Sequence, residues 1–312
     1  MAVYGSNLKD DSTPYLSIFI PTYNDQTDLS ACLESIRRVK YPREKIEIAI
    51  WDNASEDNTV RMVKQCFDKM KSEGWLNLHL AEWDRNEGSY IPYNLILPNF
   101  SQKTMYILGL DADVELDPHV PQKMVDAATG DSIAVVGARS VYFDRPEVTS
   151  HGAGFVNHWL ARYTHKDVHE RIECDYVIGC CWLLDKDVFE KLGRFDPDYY
   201  INHWEVDYCL RAKKQGFRII YEPGAVIKHK IPVRGSLSRE RIYYLYRNKL
   251  LVIKKNAPFP QKLISLGLYS LLFSPKAILD SIVRNRQVDR QEIMIILEAI
   301  KDGWLNKAGK KI

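Results

Sequence analysis

The sequence predicts an α/β fold: a mostly parallel central sheet flanked by helices, followed by a helical extension at the carboxyl end. Two observations predict it. Strand and helix signals alternate through the first half of the chain, which is the pattern of a layered α/β domain. The last quarter has helical periodicity throughout and a net positive charge. We therefore assign residues 1–235 to one α/β domain and residues 236–312 to a basic, amphipathic helical extension.

In the first half, short apolar runs alternate with amphipathic segments. One helix is indicated by apolar residues at i, i+3, i+7 and i+10, namely Val60, Val63, Phe67 and Met70. The other predicted elements are, in order, a strand at 16–20, a helix at 28–38, strands at 46–51, 76–81 and 105–110, a helix starting near Asp117-Pro118, and a strand at 133–137.

The second half is less regular. Residues 144–172 lack clear periodicity, and we interpret them as a functional lid or mobile loop. Four of the eight histidines fall there and are expected to be mostly solvated: His151, His158, His165 and His169. The later predicted elements are a strand at 176–184, a helix from Asp185, a turn at 193–197, a helix at 204–215, and a strand pair at 217–221 and 225–227.

Length and composition exclude several classes of protein. The chain has 312 residues, of which 46 % are hydrophobic and 27 % charged, close to ordinary globular usage. This excludes a disordered chain, a fibrous rod and a disulfide-stapled miniprotein. A net charge of only +2 argues against a nucleic-acid-binding protein that relies on overall charge. Six cysteines without a signal peptide indicate free thiols in a reducing compartment.

Charge is divided unevenly along the chain. Residues 1–235 carry 28 Lys and Arg against 35 Asp and Glu, whereas residues 236–312 carry 15 against 6. The apolar run at 263–275 is too short to predict a membrane span. The extension could pack on the α/β domain, or it could form an interfacial platform on an anionic membrane. The second interpretation turns these cations toward lipid: Arg247, Lys249, Lys254, Lys255 and Lys262.

Polar residues follow three of the predicted strands. The three clusters are Thr22-Tyr23-Asn24, Asp52-Asn53 and Asp111-Ala112-Asp113. Ligands of α/β sheets bind beyond the carboxyl ends of the strands, and a parallel sheet would bring these clusters to one edge. The sequence therefore predicts a single site built from residues that are distant in the chain.

Two of these clusters point to chemistry, each with a simpler alternative. Asp111 and Asp113 suit a hard divalent cation that keeps water and phosphate ligands, but a solvated acidic turn has the same pattern. Asp52 could accept a hydrogen bond from the imide of uracil, thymine or guanine, or it could belong to a polar turn before the next helix.

Three titratable residues further along the chain are also candidates. Glu205 and Asp207 lie in the first turns of a predicted helix, where acids suit the helix dipole and Asp207 can pair with Arg211. Alternatively, Glu205 beside Trp204 is a general base at the edge of a cleft. His229 ends a strand, as a structural residue or as a ligand of a metal or diphosphate. Phosphate-loop and nucleophile-elbow motifs are missing from the sequence.

Taken together, the ordered segments resemble family 2 glycosyltransferases with the GT-A fold, especially the rhamnosyltransferase-like and mannosyltransferase-like members. The resemblance covers about residues 15–255, and a weaker similarity extends to residues 303–310. Its segments are S-I-F-I-P-T-Y-N at 17–24, D-N-A-S-E-D-N-T at 52–59, R-N-E-G at 85–88, D-A-D at 111–113, Y-V-I-G-C-C-W-L-L at 176–184, G-R-F-D-P-D-Y-Y at 193–200, W-E-V-D-Y-C-L-R-A-K-K-Q-G at 204–216, His229, and Y-L-Y-R-N-K-L-L at 244–251.

The resemblance implies a GT-A catalytic domain at 1–235 and a set of site residues. Glu205 would be the catalytic base, supported by Asp207, with Trp204 toward the acceptor. Asp113 and His229 would bind Mn²⁺ or Mg²⁺. The donor nucleotide-sugar would be held by Pro21, Thr22, Tyr23, Asn24, Asp52, Asn86, Asn94, Asp111, Ala112, Gly179 and Cys180. This chain departs from the family where Trp204-Glu205 replaces the frequent Glu-Asp, and where D-A-D replaces a run of three acids.

The implied activity is inverting, metal-assisted transfer of a hexose from GDP-mannose, dTDP-rhamnose or a UDP-hexose to a lipid-linked or glycan acceptor. The implied location is the cytoplasm, peripheral at the cytoplasmic face of the membrane, without nucleic acid as a partner. Two alternatives remain open: a sugar-nucleotide pyrophosphorylase, whose G-x-G-T-R segment is missing after the first strand, and a non-catalytic nucleotide-sugar or glycan-binding protein.

Overall fold

The computed structural model of the protein describes residues 13–89, 91–231, 238–285 and 289–311. Twelve strands are present in this part of the chain. They are β1 (Tyr15–Thr22), β2 (Ile46–Asp52), β3 (Asn77–Glu82), β4 (Thr104–Leu110), β5 (Val114–Leu116), β6 (Ile133–Tyr142), β7 (Thr149–His151), β8 (Ala153–Asn157), β9 (Arg162–Lys166), β10 (Ile172–Glu173), β11 (Cys181–Asp185) and β12 (Arg218–His229).

Ten α-helices accompany the strands in the same described ranges. They are α1 (Gln26–Arg37), α2 (Thr59–Ser72), α3 (Ile91–Ile96), α4 (Val120–Ala128), α5 (Lys186–Leu192), α6 (Trp204–Lys214), α7 (Arg239–Asn256), α8 (Gln261–Leu268), α9 (Ser274–Asn285) and α10 (Arg290–Trp304). A π-helical turn, Tyr269–Phe273, joins α8 to α9.

The central sheet has the strand order β10-β12-β6-β11-β4-β1-β2-β3, with β5 added beside β12 and β7 beside β6. Along this path only β11 and β10 are antiparallel to their neighbours in the described sheet, so six strands point the same way. The prediction of a mostly parallel sheet is therefore confirmed. The inserted antiparallel strand β11 brings the segment before it, 177–180, to the carboxyl edge of β4.

Each face of the sheet packs against its own layer of helices. In β1, Ile18 and Ile20 contribute to one core together with α1, α2 and α4, whereas Phe19 contributes to the other with α3, α5 and α6. This alternation follows from the two-residue period of a strand. It also explains why β1 reads as a continuous apolar run, because both of its faces are covered.

Most of the predicted elements are present, and three predictions need correction. Residues 144–172 are not a patternless loop: they contain β7, an antiparallel hairpin of β8 and β9, and the first residue of β10. The predicted strand at 176–184 begins only at Cys181. The predicted pair at 217–227 is the single strand β12, whose register against β6 shifts between Glu222 and Val226. An irregularity of that kind resembles a turn in sequence because it contains Pro223-Gly224.

The helical extension packs on the α/β domain. Helix α7 lies between α6 and α10, and Leu251 and Val252 of α7 join the same core as α6. Buried side chains of α7 and α10 meet where Gly303 approaches Leu250, since a Cβ at Gly303 would lie 2.8 Å from the Leu250 side chain. The predicted boundary between residues 235 and 236 lies outside the described residues.

The prediction that five cations of the extension face lipid is wrong for four of them. The charges of these four side chains are instead engaged by hydrogen bonds, ion pairs or aromatic rings of the protein itself. Arg247 donates to the Asp198 and Gly309 carbonyls, Lys249 lies among the rings of Tyr163, Tyr269 and Phe273, Lys254 donates to the Gly303 and Trp304 carbonyls, and Lys255 pairs with Asp196 and Asp198.

One helix in the described part of the chain, Gln261–Val283, is long and apolar enough to cross a membrane by length and composition alone. It runs through α8, the π-helical turn and into α9. Little of it is buried, and its exposed apolar residues include Leu263, Leu271 and Leu272. The apolar run at 263–275 did not predict a helix of this length, because serines interrupt the run and the helix continues past Pro275 through Lys276 and Asp280.

Candidate active site

A cleft of about 750 Å³ opens at the carboxyl edge of the parallel strands. This volume lies within the range of ordinary small-molecule sites. The cleft is lined by the ends of β1, β4 and β12, by the segment before β11, and by the first turns of α6 and α7. The predicted site residues that line it are Pro21, Thr22, Tyr23, Asn86, Asp111, Ala112, Asp113, Gly179, Cys180, Trp204, Glu205 and His229.

Two carboxylates and an imidazole meet at one corner of this cleft. Asp111 and Asp113 follow β4, and His229 ends β12, where it pairs in register with Val114 of β5. The ligand atoms of the three side chains lie within 4.8 Å of one another, and His229 Nε2 is 3.2 Å from Asp113 Oδ1. Sheet register therefore assembles the cluster, because β5 pairs antiparallel with the end of β12 and so places the chain after Asp113 beside His229.

Backbone hydrogen bonds fix the position of the acidic pair. The Asp111 N–H donates to the Cys180 carbonyl at 2.9 Å, and the Lys230 N–H donates to the Asp113 carbonyl at 3.0 Å. The two acids thus sit on backbone that is held from both sides, by the segment before β11 and by the residue after β12.

Burial and mutual repulsion dominate the electrostatics of this corner. Burial, together with the neighbouring Asp113 carboxylate, raises the pKa of Asp111 to about 7. Burial also raises the pKa of Asp113, but the hydrogen bond and charge of His229 outweigh it, so that the net shift is downward. Burial lowers the pKa of His229, whereas its contacts with Cys180 and Asp113 raise it more strongly. Without a bound cation, a proton on His229 offsets the charge of the acids, and the imidazole must release that proton before Nε2 can bind a metal.

The donor set fits a divalent cation. Two carboxylates and one imidazole are ligands that Mn²⁺ accepts, and Mg²⁺ accepts the carboxylates together with water and phosphate oxygens. His229 Nδ1 is buried without a hydrogen-bond partner among the described residues, so Nε2 is the ring atom turned toward the acids. The predicted cation site is thus consistent with the geometry of the side chains.

Glu205 lies at another part of the same cleft, in the first turn of α6. Its side chain is buried, and burial, aided by the nearby charge of Asp111, raises the pKa of Glu205 to about 7. A carboxylate with a pKa near 7 is suited to exchange a proton at neutral pH. The position of Glu205 in the first turn of α6 also fits the helix-dipole interpretation, and it is the burial of the carboxylate in the cleft that supports a general base.

Gly179 and Trp204 form the wall between these two groups. A Cβ on Gly179 would lie 2.7 Å from Cζ2 of Trp204, so only glycine leaves room for the indole. Most of the Trp204 ring is buried among aromatic residues, including Tyr93, Trp182 and Phe195. It presents one edge to the cleft, and its packing role is larger than the predicted acceptor contact implies.

The strand ends of β1 and β2 form the opposite end of the cleft. Thr22 and Asp52 are in register, and Asn53 joins Asn86 on the lining. Asp52 is buried and lies just behind this lining: its Oδ2 accepts from the Ser55 N–H at 3.0 Å, whereas Oδ1 has no hydrogen-bond partner in the described structure. An unsatisfied buried carboxylate oxygen is costly and favours a donor from outside the protein.

Three predicted residues have structural roles instead. Asn24 does not line the cleft; its side chain accepts from the Glu56 N–H at 2.8 Å and braces the turn after β2. Asn94 exchanges two hydrogen bonds with the backbone of Phe195, at 2.9 and 2.8 Å. Asp207 is turned into the protein, where it accepts from Arg211, Tyr199 and Asn256. Its pairing with Arg211 is the simpler alternative that its i, i+4 spacing offers.

Sequence reasoning missed several residues that line the cleft. His151 is packed against the rings of His165 and His229, at 5.0 and 6.3 Å between centroids, rather than solvated. Tyr200 and Arg241 also contribute to the lining. Arg241 lies in the first turn of α7 and brings positive charge toward Asp111 and Asp113. The Y-L-Y-R-N-K-L-L segment on the same helix was the available signal that α7 belongs to the site.

Comparison with known proteins identifies the family. The family model of Glycosyl transferase family 2 matches residues 17–193, which is more than half of the chain. The chain belongs to glycosyl transferase family 2. Among curated relatives of this family 2 enzyme, Glycosyltransferase AglE of Haloferax volcanii is 26 % identical over 230 residues, covering 73 % of this chain and 71 % of AglE.

Two solved structures share the fold of this family 2 enzyme. Mannosyltransferase PcManGT from Pyrobaculum calidifontis, in complex with GDP-Man and Mn²⁺, has a TM-score of 0.63 at 16 % identity and covers 95 % of this chain and 89 % of its own. TarS 1-349 of Staphylococcus aureus, in complex with UDP-GlcNAc, has a TM-score of 0.58 at 16 % identity and covers 92 % and 81 %. The predicted GT-A fold is confirmed, and the protein is a glycosyltransferase.

The raised pKa of Glu205 predicts a pH-dependent cost in stability. Between the ordinary pKa of 4.5 and about 7, the folded protein keeps a proton that the unfolded chain has lost, so stability falls as pH rises through this window. Glu205→Gln should therefore raise the free energy of unfolding at pH 8 by on the order of 1–3 kcal/mol, with little change at pH 4.5. Urea unfolding at both pH values measures this, with Glu240→Gln in the same cleft as control. An equal effect at both pH values would contradict the assignment.

The close approach at Gly179 gives a second prediction. Gly179→Ala places a methyl group against the Trp204 ring and should destabilise the protein by about 1–3 kcal/mol. Gly267→Ala is the matched control, because nothing lies within 4 Å of a Cβ there and the residue is in a helix, where alanine is favoured. Thermal unfolding of both variants is the measurement. If both shift the melting temperature alike, the contact has no energetic weight.

Proposed function

We propose that this glycosyltransferase moves a hexose of the mannose, rhamnose or glucose type from a nucleoside-diphosphate sugar to a hydroxyl of a lipid-linked or glycan acceptor, with inversion. The observation that carries the proposal is the meeting of the Asp111, Asp113 and His229 cluster with the buried Glu205 in one cleft. A nucleoside diphosphate is an anion and needs a cationic corner, and an attacking hydroxyl needs a base. Both requirements are met within this cleft.

Asp113 and His229 would hold Mn²⁺ or Mg²⁺, with Asp111 beside them. When bound, the cation would neutralise the negative charge that grows on the departing diphosphate. Arg241 faces the same acids and would contribute a further positive charge from the first turn of α7. The residues at this corner therefore serve the leaving group.

Glu205 would take the proton from the acceptor hydroxyl as that hydroxyl attacks the anomeric carbon. The attack comes from the face opposite the leaving diphosphate, so a single displacement inverts the anomeric centre. Burial of Glu205 supports this role, because it keeps the carboxylate a stronger base than a solvated one. No covalent intermediate on the protein is needed.

The nucleobase would meet Asp52. Its unsatisfied Oδ1 can accept one imide N–H, a group that uracil, thymine and guanine share. This contact favours those bases over adenine and cytosine without choosing among them. The titles of the two solved structures mention different nucleotide-sugars, GDP-Man and UDP-GlcNAc, which fits a contact that guanine and uracil can both make.

The activity is tested by incubating the protein with candidate sugar nucleotides, Mn²⁺ and a lipid-linked acceptor, and measuring release of nucleoside diphosphate. Asp113→Asn and Glu205→Gln should each lower turnover by roughly 10²–10⁴-fold. Glu115→Gln is the matched control, since Glu115 follows two residues after Asp113 but pairs with Lys230. Release of pyrophosphate would instead indicate a pyrophosphorylase, and binding without turnover a non-catalytic protein.

The pKa of Glu205 also predicts the pH dependence of this activity. The base must be unprotonated, so kcat/KM should rise with pH and level off above about 7. The pH profile of kcat/KM for the acceptor, at saturating donor and cation, measures this. A limb centred near 4.5 would contradict a base whose pKa is raised by burial.

We also propose that the protein binds the cytoplasmic face of an anionic membrane through α8 and α9. The support is apolar rather than electrostatic: Leu263, Leu271, Leu272 and Leu279 are exposed along this helix, and the cations nearby are largely engaged inside the protein. Trp159, at the tip of the β8–β9 hairpin, is exposed beside α8, whose Ser265 hydrogen bonds to the His158 carbonyl. Exposed leucines flanked by a tryptophan are typical of an interfacial helix.

Flotation with anionic and neutral liposomes tests this docking. Binding should persist at high salt, because buried apolar area drives it, and the double substitution Leu271→Glu and Leu272→Glu should abolish it. Leu76→Glu is the matched control, because Leu76 is as exposed as Leu271 but precedes β3 in the α/β domain. Wild-type protein that does not float with either anionic or neutral liposomes would contradict the proposal.

A further inference from the structure

The loop that precedes the base has a demanding backbone. It joins α5 to α6 over residues 193–203, and its last two residues, Asn202 and His203, have φ values of 61° and 66°. Non-glycine residues adopt this left-handed region rarely, and asparagine and histidine do so more readily than most. Such a conformation persists only when its surroundings hold it. Glu205 follows two residues later, so the backbone of this loop sets where the carboxylate lies.

Asn248 of α7 holds the strained end of the loop. Its side chain is fully buried, and its amide Nδ2 donates to the carbonyls of Ile201 at 2.6 Å and Asn202 at 2.9 Å. Its Oδ1 accepts from Arg247 Nε at 2.8 Å. This network fixes the orientation of the amide, because a flipped side chain would turn Oδ1 toward two carbonyl oxygens.

Arg247 extends the same network to the end of the chain. Its guanidinium is almost fully buried and donates to the carbonyls of Asp198 at 3.0 Å and Gly309 at 2.6 Å. The Gly309 N–H in turn donates to the Asp198 carbonyl at 2.8 Å. The loop is therefore bound at both of its halves, at Asp198 by Arg247 and at Ile201 and Asn202 by Asn248.

Lys310, in the segment after α10, contacts Asn86 and Tyr200, and both of these residues line the cleft. Its Nζ donates to the Asn86 carbonyl at 2.8 Å and lies 5.3 Å from the ring centre of Tyr200. Tyr200 lines the cleft and packs against Tyr244 of α7 at 5.1 Å between ring centres. The tail after α10 thus touches the cleft wall directly.

We propose that Arg247 and Asn248 are positioning residues for Glu205, and that the helical extension is an integral part of the active site. The proposal rests on Glu205 acting as the base. Neither residue lines the cleft itself, but Asn248 binds the backbone of Ile201 and Asn202, which do, so the two side chains act through the backbone of residues 198–203.

The kinetic test uses Asn248→Ala in the full chain. It should lower kcat by about 10–100-fold while the donor KM stays within about two-fold, because misplacing a catalytic group by about 1 Å costs rate rather than donor binding. Tyr269→Phe is the matched control: it removes the hydrogen bond of the buried Tyr269 side chain to the Tyr246 carbonyl of α7, and among the described contacts its hydroxyl touches neither Arg247 nor the loop. Unchanged kcat in Asn248→Ala, or an equal loss in Tyr269→Phe, would overturn the positioning role.

A second measurement does not depend on activity. Hydrogen exchange followed by mass spectrometry should show faster exchange of amides 198–205 in Asn248→Ala than in Tyr269→Phe. Arg247→Lys keeps the charge but loses the fork that reaches two carbonyls, and it should show the same effect if Asn248→Ala does not fold. Unchanged exchange of these amides would overturn the proposal. An inactive wild-type protein with the expected exchange would count against the proposed function alone.

Discussion

The site depends on the burial of several carboxylates at one edge of the sheet. Asp111, Asp113 and Glu205 line the same cleft, and burial raises the pKa of Asp111 and of Glu205. Acids gathered out of water repel one another and are costly unless charge or protons compensate them. His229 and Arg241 supply part of that compensation. The remaining deficit of positive charge is the property that would let this corner take a divalent cation with a diphosphate.

Two different devices place the acids. At the cation corner, strand register suffices, because β5 pairs with the end of β12 and brings Val114 beside His229. Glu205 stands on a helix that follows an irregular loop, and register cannot fix such a loop. Hydrogen bonds from α7 hold it at Ile201 and Asn202. The sheet is thus sufficient to place the corner of Asp111, Asp113 and His229, whereas the position of Glu205 depends on the extension as well.

This division explains what the sequence could predict. Strand ends are readable, since an apolar run followed by polar residues locates Thr22, Asp52 and Asp113 at one edge. The hairpin of β8 and β9 was not readable, because its strands carry Gly, His and Tyr without alternation, and its pairing with the rest of the domain includes a bridge from Gly154 to Tyr176. The partners of Lys255 and Arg247 lie about 50 or more residues away in the chain, so composition alone could not distinguish a cation that is paired within the protein from one that faces lipid.

The extension has two faces with different physical demands, and this is why one segment can serve two purposes. The buried face of α7 carries polar groups that define a loop conformation, which requires rigidity. The exposed surface of α8 and α9 carries Leu263, Leu271, Leu272 and Leu279, which an apolar medium would cover, and α9 also carries the exposed Lys276–Asp280 ion pair. Since Tyr269 of the π-helical turn donates to the Tyr246 carbonyl of α7, the two faces are joined by direct contact. If α8 docks on lipid as proposed, α7 and the loop that it binds before Glu205 would therefore lie close to the membrane surface.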